Sequence, residues 1–146
     1  MGNITDVLIC VNYSSIHLRR DQMTADHIFL AGRILLGGMF VVAGLRHLMI
    51  VPVLTAAVAA RGMPFPRAVV LAGTGFQITA GLSLMYGLFV AWAALGLILF
   101  TLVASVMLVN FWDKDGEERI ALTNAFQTNI GLIGGLMIAA AHGLRP

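Results

Sequence analysis

The sequence predicts an all-α, polytopic membrane protein, a bundle of four transmembrane helices, and three observations carry that expectation. Of 146 residues, 59% are hydrophobic and only 11% are charged, and the mean hydropathy is +0.90; soluble domains average about 45–50% apolar and about 25% charged residues. Four apolar stretches lie near the roughly 20 residues that a membrane-spanning helix requires. Aromatic residues cluster at the ends of these stretches, where amphipathic rings favour the membrane–water interface.

Taken in order, residues 1–27 carry Asn3, Asp6, Asn12, Ser14, Ser15, Asp21 and Asp26 without hydrophobic periodicity, so an irregular polar arm is expected. Met23 stands just before the first apolar stretch, and translation from it would give a four-helix protein with almost no tail. Residues 8–11 are too short for a signal-peptide core, and Arg19-Arg20 follow them instead of preceding them, so the first span is expected to act as an uncleaved anchor. The membrane domain covers 28–146, with spans at about 28–50, 68–88, 90–111 and 125–141. Within 52–66, Pro52, Gly62, Pro64 and Pro66 predict an interfacial loop with at most one short amphipathic turn. Tyr86-Gly87-Leu88-Phe89 leaves only a tight corner between the second and third spans. Trp92 and Trp112 are about 30 Å apart along a helix, close to the hydrocarbon thickness. The dense charges of 113–119 belong in water.

Nine basic and seven acidic residues give a net charge of +2, spread over the loops with no long run of one sign, which gives nucleic-acid binding no support. Cys10 is the single cysteine, which excludes an internal disulfide, a CxxC pair and a four-cysteine metal site. His17, His27, His47 and His142 make no HxxH, HxxxH or ExxH pair, so no metal is expected. Bis-histidine haem would need His47 and His142 at matching depth, and each lies near a helix end. Basic residues divide almost evenly between the two sides, but from Met23 onward they favour a cytoplasmic placement of the 52–66 and 113–124 loops.

Within the spans, small residues mark faces where helices approach closely, because lipid supplies no hydrophobic drive between them. Gly37 and Gly44 lie on one stripe of the first span with Arg33, Phe40 and His47, whereas Arg46 points elsewhere. Gly73 and Gly81 flank Gln77 on one face of the second. Gly131, Gly135 and Ala139 repeat every fourth residue on the last. Ionisable and amide groups inside a span are candidate functional groups, which singles out Arg33, His47, Gln77, Asn110, Trp112 and Asn129 as candidate ligand contacts. Each also has a plainer structural role, Arg33 and His47 as interfacial anchors and Gln77 as an interhelical hydrogen-bonding group. No catalytic residue can be named.

Arg33 with the glycines of RILLGGMF and AGLRHL, then Pro52, RGMPFP at 61–66, Gly73, GLSL at 81–84, NFW at 110–112, the segment 126–129 and Gly134-Gly135 together resemble the DoxX family of small bacterial four-helix membrane proteins. The likeness runs from about 33 to 143. Family members often carry glutamate at Gln77, lysine at His47, histidine at Val109 and lysine at Thr128, so four ionisable positions are neutral or weakened here. The family name comes from a subunit associated with thiosulfate:quinone oxidoreductase, and other members resemble partners in oxidative-stress complexes. The resemblance therefore implies a multi-pass protein of the bacterial inner membrane, an accessory component of a quinone-linked redox system more than an enzyme, with a quinone as candidate ligand. A membrane or peripheral oxidoreductase, a second copy of the chain and the lipid bilayer are the implied partners. Two rivals are a structural or chaperone-like assembly protein and, more weakly, a small-solute transporter.

Overall fold

The computed structural model describes residues 4–144, with side chains from Arg19 onward. Its elements are α1 (Ile4–Met49), α2 (Val51–Ala59), α3 (Pro66–Tyr86), α4 (Val90–Leu108), a single 3-10 turn (Phe111–Asp113) and α5 (Gly116–Gly143); there is no strand among the described residues. The chain divides into two units, residues 1–32 and 33–146.

In the first unit, α1 occupies the segment expected to be an irregular arm. Polar residues lower helix propensity by only a few tenths of a kcal/mol, about 0.7 at most, whereas glycine and proline break helices, and neither occurs between Ile4 and Ala31. Nothing in the sequence therefore interrupts the helix. Thr24 Oγ1 donates back to the Arg20 carbonyl at 3.0 Å. Asn3 of the expected arm, and Arg145 near the C-terminus, lie outside the described residues.

The second unit is a helical bundle. Its core joins Phe40 of α1, Ala80 and Leu84 of α3, Ala94 and Leu97 of α4, and Leu136, Ala139 and Ala140 of α5. Four alanines among eight core positions allow close backbone approach, the packing mode that works where lipid is the solvent. The exterior is oily and part of the interior is polar: Leu35, Val106 and Ile138 are about 70% exposed (72%, 67% and 69%), while Thr74, Gln77, Thr101 and Ser105 are buried. In water such a surface would drive aggregation; in lipid it is the solvated face. Three helical segments are long and apolar enough to cross a membrane, Arg19–Met49, Pro66–Tyr86 and Val90–Asp113, and the protein is a multi-pass membrane protein. The segment expected as a fourth span, 125–141, lies within α5, whose 28 residues are long enough. Gln127, Thr128, Asn129 and His142 dilute its hydropathy below that of the other three.

The loop expected at 52–66 is half wrong, because α2 fills residues 51–59. Pro52 stands in its first turn, where backbone N–H groups have no intrahelical partner to lose. The break comes later, at Gly62 with φ 71°. Pro66 opens α3, slightly before the expected start of the second span. α4 ends at Leu108, so Val109 and Asn110 leave the α-helix that the sequence carries to 111. α5 starts well before 125 and takes in the second half of the charged segment, from Gly116 to Arg119; Lys114, just ahead of it, pairs with Glu118 at 2.8 Å.

Between α3 and α4 the corner is closed by Gly87 at φ 80°, a left-handed conformation that only glycine adopts without strain. Leu88 N–H donates to the Ser83 carbonyl at 2.9 Å, and Ser83 Oγ returns a bond to the Leu88 carbonyl at 2.7 Å. Phe65 and Phe89, each immediately before a helix, have φ 53° and 50°, and both rings are exposed. α3 and α4 run antiparallel, so these rings mark opposite ends of the bundle.

Candidate functional site

The glycines of α1 and α3 bring these helices into backbone contact. A Cβ on Gly37 would lie 2.5 Å from the Gly81 carbonyl oxygen and 2.7 Å from Met85 Cγ, and one on Gly44 would lie 2.5 Å from Ile78 Cγ1. Gly73 faces α4 instead, where a Cβ would meet the Phe100 ring at 3.2 Å. On α5, Gly135 meets Leu36 at ordinary contact distance, while Gly131 and Gly134 face open space.

That close approach sets the position of Gln77. Its side chain is 2% exposed, and its Nε2 donates to the Phe40 carbonyl across the α1–α3 interface at 3.0 Å. Its Oε1 is buried and has no partner in full hydrogen-bond geometry. His47 lies two turns beyond Phe40 on the same helix, α1.

His47 also borders a cavity of about 190 Å³. α2 supplies Leu54 and Val58, α3 supplies Val70, Gly73 and Thr74, and α4 supplies Phe100, Ala104 and Met107. The walls are almost wholly apolar, and His47 is the one ionisable side chain among them. A second groove, along α1 from Ile34 to Ile50, also borders His47.

The other sequence candidates lie elsewhere. Arg33 is about 21 Å from His47 along α1, and its guanidinium covers Gly87 at the α3–α4 corner, 2.8 Å from where a Cβ would stand. Asn129 Nδ2 donates to Ser105 Oγ at 2.8 Å, and Ser105 in turn donates to the Thr101 carbonyl at 2.6 Å, which makes a polar bridge between α5 and α4. Asn110 Nδ2 reaches Asp113 Oδ2 at 3.3 Å. Trp112 is exposed and stands edge-on to Phe111 at 5.3 Å between ring centres, with Phe111 resting on Phe126 at 5.4 Å. The structure therefore places His47 at the cavity and Gln77 in the α1–α3 contact, with Arg33, Asn110, Trp112 and Asn129 in other surroundings.

Sequence reasoning passed over Thr74, Ser105 and Thr101. Thr74 precedes Gln77 by three residues and Gly81 by seven, the spacing of one helix face; Thr101 and Ser105 are one turn apart on a face otherwise apolar. Those spacings were the available signal. The walls from α2 could not be found this way, since that segment was expected to be a loop.

The family model DoxX matches residues 28–110 of the chain, a segment that includes every residue lining the cavity. No curated protein and no solved structure matches the chain.

Proposed function

Because the chain belongs to the DoxX family, we propose that it is a non-catalytic, accessory component of a quinone-linked redox system in the bacterial inner membrane, and that its bundle holds a small apolar ligand of the quinone type beside His47. The observation that supports this reading is the cavity between α1, α2, α3 and α4, apolar but for His47 and Thr74. Ligand sites in proteins combine mostly apolar walls with a few polar groups that fix orientation. An apolar cavity of about 150 Å³ is large enough for a benzene-sized ring, so about 190 Å³ suits one substituted ring whose tail leaves through the open side into lipid. In this reading α5 is a fourth membrane crossing and carries the polar segment 116–124 outside the bilayer.

The experiment is purification from native membranes in mild detergent, followed by identification of co-extracted quinone and of co-purifying oxidoreductase subunits. The proposal expects at least one of them in amounts comparable to the protein. An intact protein without either would overturn it.

A second reading, an assembly protein that binds partner helices, draws support from Gly131 and Gly134, which face open space. It expects Gly131→Leu to abolish partner capture while His47→Phe leaves it unchanged, the reverse of what a cavity-centred role expects.

A further inference from the structure

The groove along α1 has a chemistry of its own, whatever the neighbouring cavity holds. Ile34, Gly38, Val42 and Arg46 repeat every fourth residue along it and so form one row on the helix. Ile34, Val42 and the adjoining Leu35 and Met39 are exposed apolar side chains, and Gly38 leaves a notch between them, since a Cβ there would meet nothing within 4 Å. From Ile34 to Arg46 the row is about 18 Å long, close to the depth of one leaflet, half of a hydrocarbon core of about 30 Å. Arg46 stands toward the end of α1 at Met49, the level at which headgroups begin.

We infer that this groove holds one phospholipid with an anionic headgroup, its acyl chain along the row from Ile34 to Val42 and its phosphate on the Arg46 guanidinium. Arginine stays charged at any accessible pH, and a charge at the edge of the hydrocarbon needs a polar partner. The chain supplies no carboxylate nearby in sequence, because residues 27–112 contain neither aspartate nor glutamate. Arg46 also enters no ion pair among the described residues. Arg33, the other arginine of the span, differs, since its guanidinium packs over Gly87. A lipid phosphate meets Arg46 from the bilayer while the arginine stem stays on apolar surface. A zwitterionic lipid carries its own ammonium beside the phosphate, so the site favours a lipid of net negative charge.

The test is electron spin resonance of the full chain in phosphatidylcholine vesicles that carry a trace of spin-labelled phosphatidylglycerol or spin-labelled phosphatidylcholine, which reads the motionally restricted fraction of each lipid. Wild type is expected to show one site per chain that holds phosphatidylglycerol about fivefold more strongly than phosphatidylcholine, the contribution of one arginine at an anionic surface. Arg46→Gln is expected to remove that preference, whereas Arg61→Gln, at an exposed arginine outside the groove, leaves it in place. Gly38→Leu fills the notch and is expected to lower the restricted phosphatidylglycerol fraction, with circular dichroism showing that the helices persist. Equal retention of the two lipids by wild type overturns the anionic site. Equal losses from Arg46→Gln and Arg61→Gln overturn the groove in favour of diffuse surface charge, and an unchanged fraction in Gly38→Leu removes the acyl chain from it. None of these outcomes bears on the ring proposed for the cavity.

Discussion

Gln77 donates to the backbone carbonyl of Phe40 across the interface of two membrane helices at 3.0 Å, so the amide is anchored to a main-chain atom, not to another side chain. A main-chain acceptor is present whatever residue occupies position 40. The amide orientation is therefore a property of helix approach, and helix approach is a property of the glycines at 37, 44 and 81.

Gln77→Leu removes this bond together with the unpartnered Oε1, and the two effects oppose each other. Its unfolding free energy in detergent should fall by less than about 1 kcal/mol. Gln77→Glu buries a carboxyl that keeps its proton and donates its O–H to the Phe40 carbonyl, so its stability should match wild type at low pH and fall as rising pH forces the buried group to ionise. Titration with a denaturing detergent, monitored by circular dichroism, measures both.

Gly37→Ala should destabilise the bundle by about 1–3 kcal/mol, the range for overpacking a filled interface, since its methyl group would collide with the Gly81 carbonyl. Gly134→Ala places a methyl group in open space and should be neutral or slightly stabilising, as alanine is the better helix former. The same detergent titration compares the two, and equal effects would refute the proposed interface.

The Asn129–Ser105 bridge predicts coupling between α5 and α4. A double-mutant cycle with Ser105→Ala and Asn129→Leu should give an interaction energy near 0.6 kcal/mol and below about 1.7 kcal/mol, as for other hydrogen bonds between membrane helices. A value of zero would mean that the bridge adds nothing to helix association.

For α5 as a fourth crossing, cysteines placed singly at Glu117 and Leu144 in a Cys10→Ser background should react with an impermeant reagent from opposite sides of sealed vesicles. Labelling of both from the same side would leave three crossings.

Much of the bundle is legible in the sequence because a lipid-facing helix must be apolar over a fixed length, and the spans centred near 40, 78 and 100 follow from that constraint alone. The positions of Gly37 and Gly44 follow from helical spacing. What the sequence conceals depends on context. Pro52 suggests a break, yet a proline in a first turn is compatible with helix, and α2 with its cavity walls was hidden for that reason. Polar residues before Met23 suggest an irregular arm, yet without glycine or proline the helix persists. The site was only partly legible: His47 and Gln77 stand out as polar groups inside spans, but so do Arg33 and Asn129, and only the three-dimensional arrangement separates His47 at the cavity from residues that bridge or cap elsewhere.

The central claim is that the cavity beside His47 holds a quinone-type ring, and native mass spectrometry of protein released from mild detergent tests it most directly when wild type is compared with Ala104→Phe, a substitution that fills the cavity from α4. The account predicts a ligand-mass adduct on wild type that is lost from a folded Ala104→Phe variant; no adduct on wild type, or an undiminished adduct on the variant, would contradict it.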